Sequence, residues 1–246
     1  MKKEPKHPAP GQNLWARPER AGRGPAPEHS RAEIAAAGVR LADANGMDAV
    51  TMRSAAAAIG TAPASLYRYV ASREELVQLM ADQVFGEFSF TAPMSGQPVP
   101  DLLELARQGL AIYRRHPWLL DVPATGSLPG PNAVAFIERS LAALASANLT
   151  GPAKLETVGL FSGVVRLFAQ TEIGQQRAGQ ETAQWQESLG RYLWELAAHG
   201  QHPQLAVALA EPPAPGEAAT VGPAEAAFER AMTRILTGLL QPTHPY

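Results

Sequence analysis

Between Ser30 and Phe88 the chain is punctuated for helices at short intervals, and that spacing constrains its fold more than any other feature. Ser30 and Glu33 stand three residues apart, as a capping box requires. Ile34, Ala37, Val39 and Leu41 supply an apolar face and Gly46 a stop, which predicts a first helix over 31–45. Thr51 caps a short second helix from Met52 to Ile59, ended by Gly60. Pro63 suits the first position of a third short helix running to about Val70. Ser72 and Glu75 repeat the capping-box spacing and open a fourth helix to about Phe88, with Leu76, Leu79, Met80 and Val84 inward. Two short helices joined by a brief glycine turn must cross steeply, which is helix-turn-helix geometry. Ala56 is small enough for the two to approach closely, and Ile59 and Leu66 fill the angle between them. On spacing alone, an ordinary helical hairpin fits the same punctuation.

The rest of the chain keeps the helical pattern. Further helices are expected over about 101–116, 131–147, 152–176, 181–198 and 223–240. Segment 121–131 holds three Pro and two Gly, and segment 211–223 holds four Pro and two Gly, so both read as breaks. No run alternates apolar and polar residues between hairpin signals, so strands are not expected. The expected fold is all-α: an N-terminal three-helix helix-turn-helix domain followed by a larger helical domain. The divisions are residues 1–28 as a disordered basic arm, 29–76 as the helix-turn-helix and 77–246 as the larger domain. The arm is rich in Pro, Gly and Arg, and Leu14 and Trp15 are its large apolar residues.

Charge divides the chain in the same place. Residues 1–73 carry 11 Lys and Arg against 6 Asp and Glu, while residues 74–246 carry 10 against 17. A basic first third on an acidic remainder fits a polyanion partner for the first third alone. Cysteine is absent, which removes disulfides, Cys-zinc sites, thiol catalysis and iron–sulfur clusters. The composition fits a cytoplasmic protein, and no apolar run reaches the length of a membrane span. Enzyme motifs are missing as well. His199 and His202 have a helical metal spacing, but Gly200 intervenes and Pro203 follows, so they read as a helix end. Ser162-Gly163 lacks the preceding glycine of a nucleophile elbow, and no phosphate-cradling loop with Lys occurs. Neither a catalytic residue, a metal nor a cofactor is expected.

Three stretches carry a family likeness. They are Ala-Ala-Ala-Ala-Ile-Gly at 55–60, Leu-Tyr-Arg-Tyr-Val at 66–70 and Ser-Arg-Glu-Glu-Leu at 72–76. In this order and spacing the region resembles the DNA-binding domain of the TetR family of transcriptional regulators. The departures are local: Ala55 replaces a larger aliphatic residue, Thr61-Ala62 stands where Val-Ser is usual, and Tyr69-Val70 replaces His-Phe. The resemblance implies a repressor released from its operator by a small molecule. A helical dimeric interaction module without specific DNA binding is the alternative.

The DNA-binding set expected is Thr51, Arg53, Thr61, Ala64, Ser65, Tyr67, Arg68 and Arg73. Thr51 and the amides behind it form a helix N-terminus that suits a phosphate. Arg53 points to the backbone or a base. Thr61 caps the recognition helix if that helix starts one residue early, and Ala64 lies at its start. Ser65 and Arg68 are the base-reading candidates, with Arg68 able to pair with guanine O6 and N7. The resemblance implies phosphate contacts for Tyr67 and Arg73. It also implies a homodimer built on two helices per subunit, for which 152–176 and 223–240 are apolar enough. A ligand site is implied between the helices, with Tyr113, His116, Trp118, Phe136, Phe161, Arg166 and Phe168 as its candidates, and Gln170 and Glu172 as further polar groups. Aromatic residues at helical spacing equally suit a plain core.

Overall fold

A computed structural model of the chain describes residues 14–17, 28–123, 128–177, 182–210 and 224–241. Ten α-helices and three short 3-10 turns, and no strand, are found among the described residues. Helix α1 is Arg31–Asn45, α2 Met52–Ala58, α3 Pro63–Leu66 and α4 Arg73–Phe85. Helix α5 is Pro98–Arg115, α6 Pro131–Ala143, α7 Gly151–Arg177, α8 Thr182–Ala198, α9 Pro203–Ala210 and α10 Ala224–Leu239.

The local chemistry of the first helices is the one their sequence calls for. Ser30 and Glu33 form a reciprocal capping box, and Thr51 forms another with Ser54. Gly46 and Gly60 take φ of +77° and +73°, a region that favours glycine, so each chain reversal falls where the sequence placed it. At α4 the box is half formed. Ser72 accepts the Glu75 N–H, but the Glu75 carboxylate accepts from the Ala71 N–H at 2.7 Å and from Arg17 instead.

Several boundaries differ from expectation for physical reasons. The third helix is regular only over Pro63–Leu66 and continues as tight turns, with Arg68 N–H donating to Ser65 O and Tyr69 N–H to Leu66 O. Its N-cap is Ala62, which has no side-chain acceptor, so Thr61 does not cap it. Helix α5 starts at Pro98 rather than Asp101, because proline is tolerated in a first turn. Asp101 instead accepts from the Ser95 and Gly96 N–H groups ahead of the helix, at 2.8 and 3.1 Å. Helix α9 falls between the helices expected over 181–198 and 223–240 and opens on Pro203, which suits a first helical position.

Two cores result. The first gathers Ile34, Val50, Ala55, Ala56, Leu66, Val70, Leu76, Met80 and Val84 with Ile112, Trp118 and Leu119. The second gathers Leu102, Leu110, Phe136, Leu144, Phe161, Val165, Phe228, Met232 and Leu236. A division after residue 76 would cut α4, whose inward residues Leu76, Leu79, Met80 and Val84 all lie in the first core. Phe88, just beyond α4, packs against both cores. The segment read as an arm is also structured in part: Leu14–Ala16 form a docked 3-10 turn with Leu14 buried, while the basic residues Lys2, Lys3, Lys6, Arg20 and Arg23 lie outside the described residues.

Three polar contacts tie the helices together: the first joins α4 to the larger domain, and the other two brace that domain from within. Buried Asp82 of α4 accepts from the Ala133 N–H at 3.0 Å and from Asn132 Nδ2 at 3.1 Å, at the N-terminus of α6. Arg114 of α5 pairs with both oxygens of Glu172 on α7, at 2.8 and 3.0 Å. Arg107 of α5 pairs with Glu229 of α10 at 2.6 Å. That last bond holds the Glu229 carboxyl below the usual carboxylate range. A lowered folded value means that its contribution is present near neutrality and lost as pH falls below about 4. Because both side chains are 43% exposed, Glu229→Gln is expected to cost under about 1 kcal/mol at pH 7 and nothing in acid, read by urea unfolding at both pH values.

Gly130 marks the tightest joint. A Cβ there would lie 2.6 Å from Trp15 Cζ2 and closer still to the Asp82 carboxyl group. Gly130→Ala is therefore expected to destabilise by about 1–3 kcal/mol in thermal or urea unfolding. The same change at Gly38, which meets only the flexible Met80 side chain and Leu76, should cost less.

Candidate DNA interface and ligand cavity

The helix-turn-helix is held from behind and open in front. Leu66 and Val70 are fully buried under α3, while Ala64 and Arg68 are exposed and Ser65 and Tyr67 half-buried. Arg53 is exposed on α2. Arg68 reaches back to the Ser65 carbonyl at 3.5 Å, a contact too long to hold it. Thr51 lies at the N-terminus of α2, but its hydroxyl is engaged with Ser54. Arg73 donates from Nε to Val50 O at 2.7 Å and from Nη2 to Met47 O at 2.8 Å. It thus ties the start of α4 to the start of α2, and its role is at least partly structural. Thr61 is half-buried in the turn. Of the expected set, Thr51 and Arg73 are brought together at the two helix starts, and Ala64, Ser65, Tyr67 and Arg68 along α3 and the turn that continues it.

Behind this unit, the end of α4 with α5, α6 and α7 lines a half-open chamber of about 320 Å³. Phe85, Phe88, Leu105, Tyr113, Phe136, Phe161 and Val165 form much of its wall. The rings meet edge to face or tilted: Phe88 and Phe136 have centroids 4.6 Å apart, and Phe85 and Phe136 5.8 Å. Tyr113 brings the polar phenol to this wall, and burial pushes that phenol up, against the opposing effect of the nearby Arg166 guanidinium. A second hollow of about 470 Å³ adjoins the chamber and shares Phe85, Tyr113, Ala133, Gly159 and Ser162 with it.

The expected ligand set is split by these cavities. Tyr113, Phe136 and Phe161 line the chamber. Arg166 and Tyr113 line the second hollow. His116, Trp118 and Phe168 line neither. His116 is buried between Asp43, at 2.7 Å from Nδ1, and Glu87, at 2.9 Å from Nε2, and Trp118 Nε1 donates to the same Asp43 oxygen. Those two residues build the joint between α1, the end of α4 and the end of α5. Phe168 packs edge-on against Phe228 of α10 at 5.2 Å. Glu172 is consumed by Arg114, and Gln170 is exposed. Phe85 and Phe88 are the wall residues that sequence reasoning missed. Their signal is two aromatic rings three residues apart at the end of the fourth helix, beside the inward set Leu76, Leu79, Met80 and Val84. His199, just past the end of α8, donates from Nδ1 to Glu195 O at 2.7 Å.

Comparison with known proteins identifies the architecture. Residues 34–80 match the family described as bacterial regulatory proteins, tetR family, and residues 93–242 match the tetracyclin repressor-like C-terminal domain. The chain belongs to the TetR family of transcriptional regulators. It is 34% identical over 231 residues to the HTH-type transcriptional repressor DrrR1 of Streptomyces coeruleorubidus, covering 92% of this chain and 83% of that one. The solved structure of apo ActR from Streptomyces coelicolor superposes with a TM-score of 0.70 at 26% identity, covering 88% of this chain and 97% of ActR. ActR in complex with actinorhodin gives 0.69 at 28% identity, over 87% and 96%. As a TetR-family regulator the chain belongs to a family of DNA-binding proteins rather than of enzymes. No helix among the described residues is long and apolar enough to cross a membrane.

Proposed function

We propose that this TetR-family regulator is a homodimeric repressor that leaves its operator when a small molecule fills the chamber. One observation carries the reading. Phe85, at the end of α4, is a wall of the chamber, while Leu76 and Met80 of the same helix lie in the core beneath α3. A ligand that pushes on Phe85 therefore pushes on the rod behind the recognition helix. Ligand binding then favours one arrangement of two, and the free-energy difference between them appears as lost DNA affinity.

Thr51, Arg53, Thr61, Ala64, Ser65, Tyr67, Arg68 and Arg73 remain the DNA-side set, with Arg68 and Ser65 reading bases and Arg53 and Tyr67 holding phosphates. The chain acts where its DNA partner is, in the cytoplasm. Titration of the purified protein onto DNA upstream of its own gene, with random competitor across a salt series, tests the reading. Competitor-resistant binding that a chamber ligand abolishes is expected. Binding no tighter than to competitor, both there and after random-sequence selection, would overturn it.

We infer that the dimer interface lies on α8 rather than on α7 and α10, the two helices expected from the sequence. Residues of α7 do face two ways, with Val158 and Phe161 buried and Leu160 and Leu167 exposed. Yet α8 exposes Trp185, Leu189, Tyr192 and Trp194, the last two at 56% each. Trp185, Leu189 and Tyr192 share one face of the helix, a stripe that a monomer rarely leaves in water, while Trp194 lies on the opposite side. Helix α10 buries Phe228, Met232 and Leu236 against its own chain, leaving α8 the freer partner. Trp185→Glu with Tyr192→Glu is expected to convert dimer to monomer in sedimentation velocity while leaving the helical content unchanged.

A further inference from the structure

The hollow beside the chamber is not simply more of the same cavity. Its wall carries Arg166, Asp82, Gln78 and Trp15 among apolar residues such as Leu119 and Val122. Asp82 is satisfied by the N-terminus of α6 and makes no ion pair with Arg166. Arg166 donates from Nη2 to Leu120 O and Val122 O, at 2.5 and 3.0 Å. Both bonds leave from one nitrogen, so the Nε and Nη1 hydrogens remain for the Tyr113 phenol and for a ligand. No carboxylate of the described residues lies within ion-pair distance of it, although it is half-buried. A guanidinium held in a cavity wall without a counter-charge favours an anion there.

Trp15 is the second unusual element, because it reaches this hollow from the opposite end of the chain. Its indole N–H donates to Leu128 O at 3.1 Å, and its ring edge lies over Gly130, where a side chain would collide with it. The turn that carries Trp15 is anchored in the DNA-binding half. Leu14 is buried in the first core, and Arg31 donates to the Leu14 and Arg17 carbonyls at 3.1 and 2.9 Å. Arg17 pairs with Glu75, whose carboxylate also holds the Ala71 N–H just after the recognition helix, while Arg31 Nε donates to Tyr69 O at 3.4 Å.

We propose that this hollow is the anion-accepting half of the effector site. Arg166 holds the acidic group of a flat aromatic ligand, Trp15 covers it, and the Leu14–Arg17 turn passes its occupancy to the end of the recognition helix. The inference rests on the chamber being the effector site, since the rings of the ligand would lie among Phe85, Phe88, Phe136 and Phe161. It adds a ligand class, aromatic acids, and a coupling element outside the chamber.

The test uses the full chain, with anthracene-2-carboxylate and its neutral carboxamide as matched probes in calorimetric titration. The carboxylate is expected to bind at least about tenfold more tightly, in line with a charged hydrogen bond. Arg166→Gln should erase that preference and keep carboxamide affinity, and Arg166→Lys should restore part of it. A wild-type protein that binds both probes equally, or a preference that survives Arg166→Gln, would overturn the anion subsite and leave the chamber reading standing. Failure of both probes to bind would overturn the chamber reading itself, and this one with it. Hydrogen exchange reads the coupling: the carboxylate should change exchange over 66–75 in the wild type. Arg17→Gln should keep the affinity and lose the change, and a change that persists in Arg17→Gln would overturn the role of the turn.

Discussion

Replacing Arg53 and Arg68 together by Ala is expected to weaken operator binding by about 2–5 kcal/mol, roughly thirtyfold to several thousandfold. Both side chains are exposed, and neither is held by an ion pair among the described residues, so their loss leaves the fold intact. Leu66, Val70 and Ala56 remain buried beneath them. The two single variants should differ in kind. Arg68→Ala should relax the sequence preference at one position of each half-site. Arg53→Ala should lower affinity for all sequences alike and reduce the salt slope by about one. Fluorescence anisotropy against operator and scrambled DNA separates these, and sedimentation checks that the oligomeric state is unchanged. Unaltered operator affinity in the double variant would remove both residues from the interface.

The second large effect is expected at the joint between the halves. His116→Ala should cost about 2–4 kcal/mol of stability by urea unfolding. His116 is 4% exposed and holds Asp43 of α1 and Glu87 beyond α4 at the same time. Removing the ring leaves a void and two carboxylates facing one another. Arg115 still pairs with Glu87, and Trp118 still donates to Asp43, which keeps the loss below that of an isolated buried charge pair. A partial rescue by His116→Gln, which retains a donor on one side, would show that the hydrogen bonds matter beyond the volume. A change under about 0.5 kcal/mol would mean that the joint is carried by its apolar neighbours Ile112 and Leu119 alone.

The DNA-binding half was legible in the sequence because its signals are local. Ser30, Thr51, Gly60 and Pro63 each act on backbone groups within four residues, and the helices began or ended where those residues stand. Glu75 shows the limit of that logic. Its spacing to Ser72 fits a box, yet Arg17, which is 58 residues away in sequence, helps to draw the carboxylate elsewhere. The ligand site was legible only in outline, because a cavity wall is a tertiary property. Phe161 and Phe168 are two helical turns apart on nearly the same face, yet one faces the chamber and the other packs on α10. Helix periodicity says which residues point inward but not whether a neighbour or a void awaits them. His116 looked like a ligand contact because a buried polar ring suits one; its partners, Asp43 and Glu87, lie 73 and 29 residues away. Leu14 and Trp15 could dock on the body or do nothing as far as the sequence goes, because the partner that holds the Trp15 indole, Leu128, lies 113 residues away.

Helix α4 sets a rule for anyone who would recombine this protein. Its first two-thirds is core to the DNA reader, Asp82 caps a helix of the ligand domain, and Phe85 lines the chamber. The halves are therefore not interchangeable cassettes. A chimera cut before residue 73 would graft a foreign reader onto a mismatched rod, and one cut after residue 88 would import foreign walls into the chamber. Specificity for DNA and for ligand can be inherited separately only where the donor carries compatible residues at 82, 85 and 88. Within such a lineage the reader and the sensor are expected to change together along this one helix.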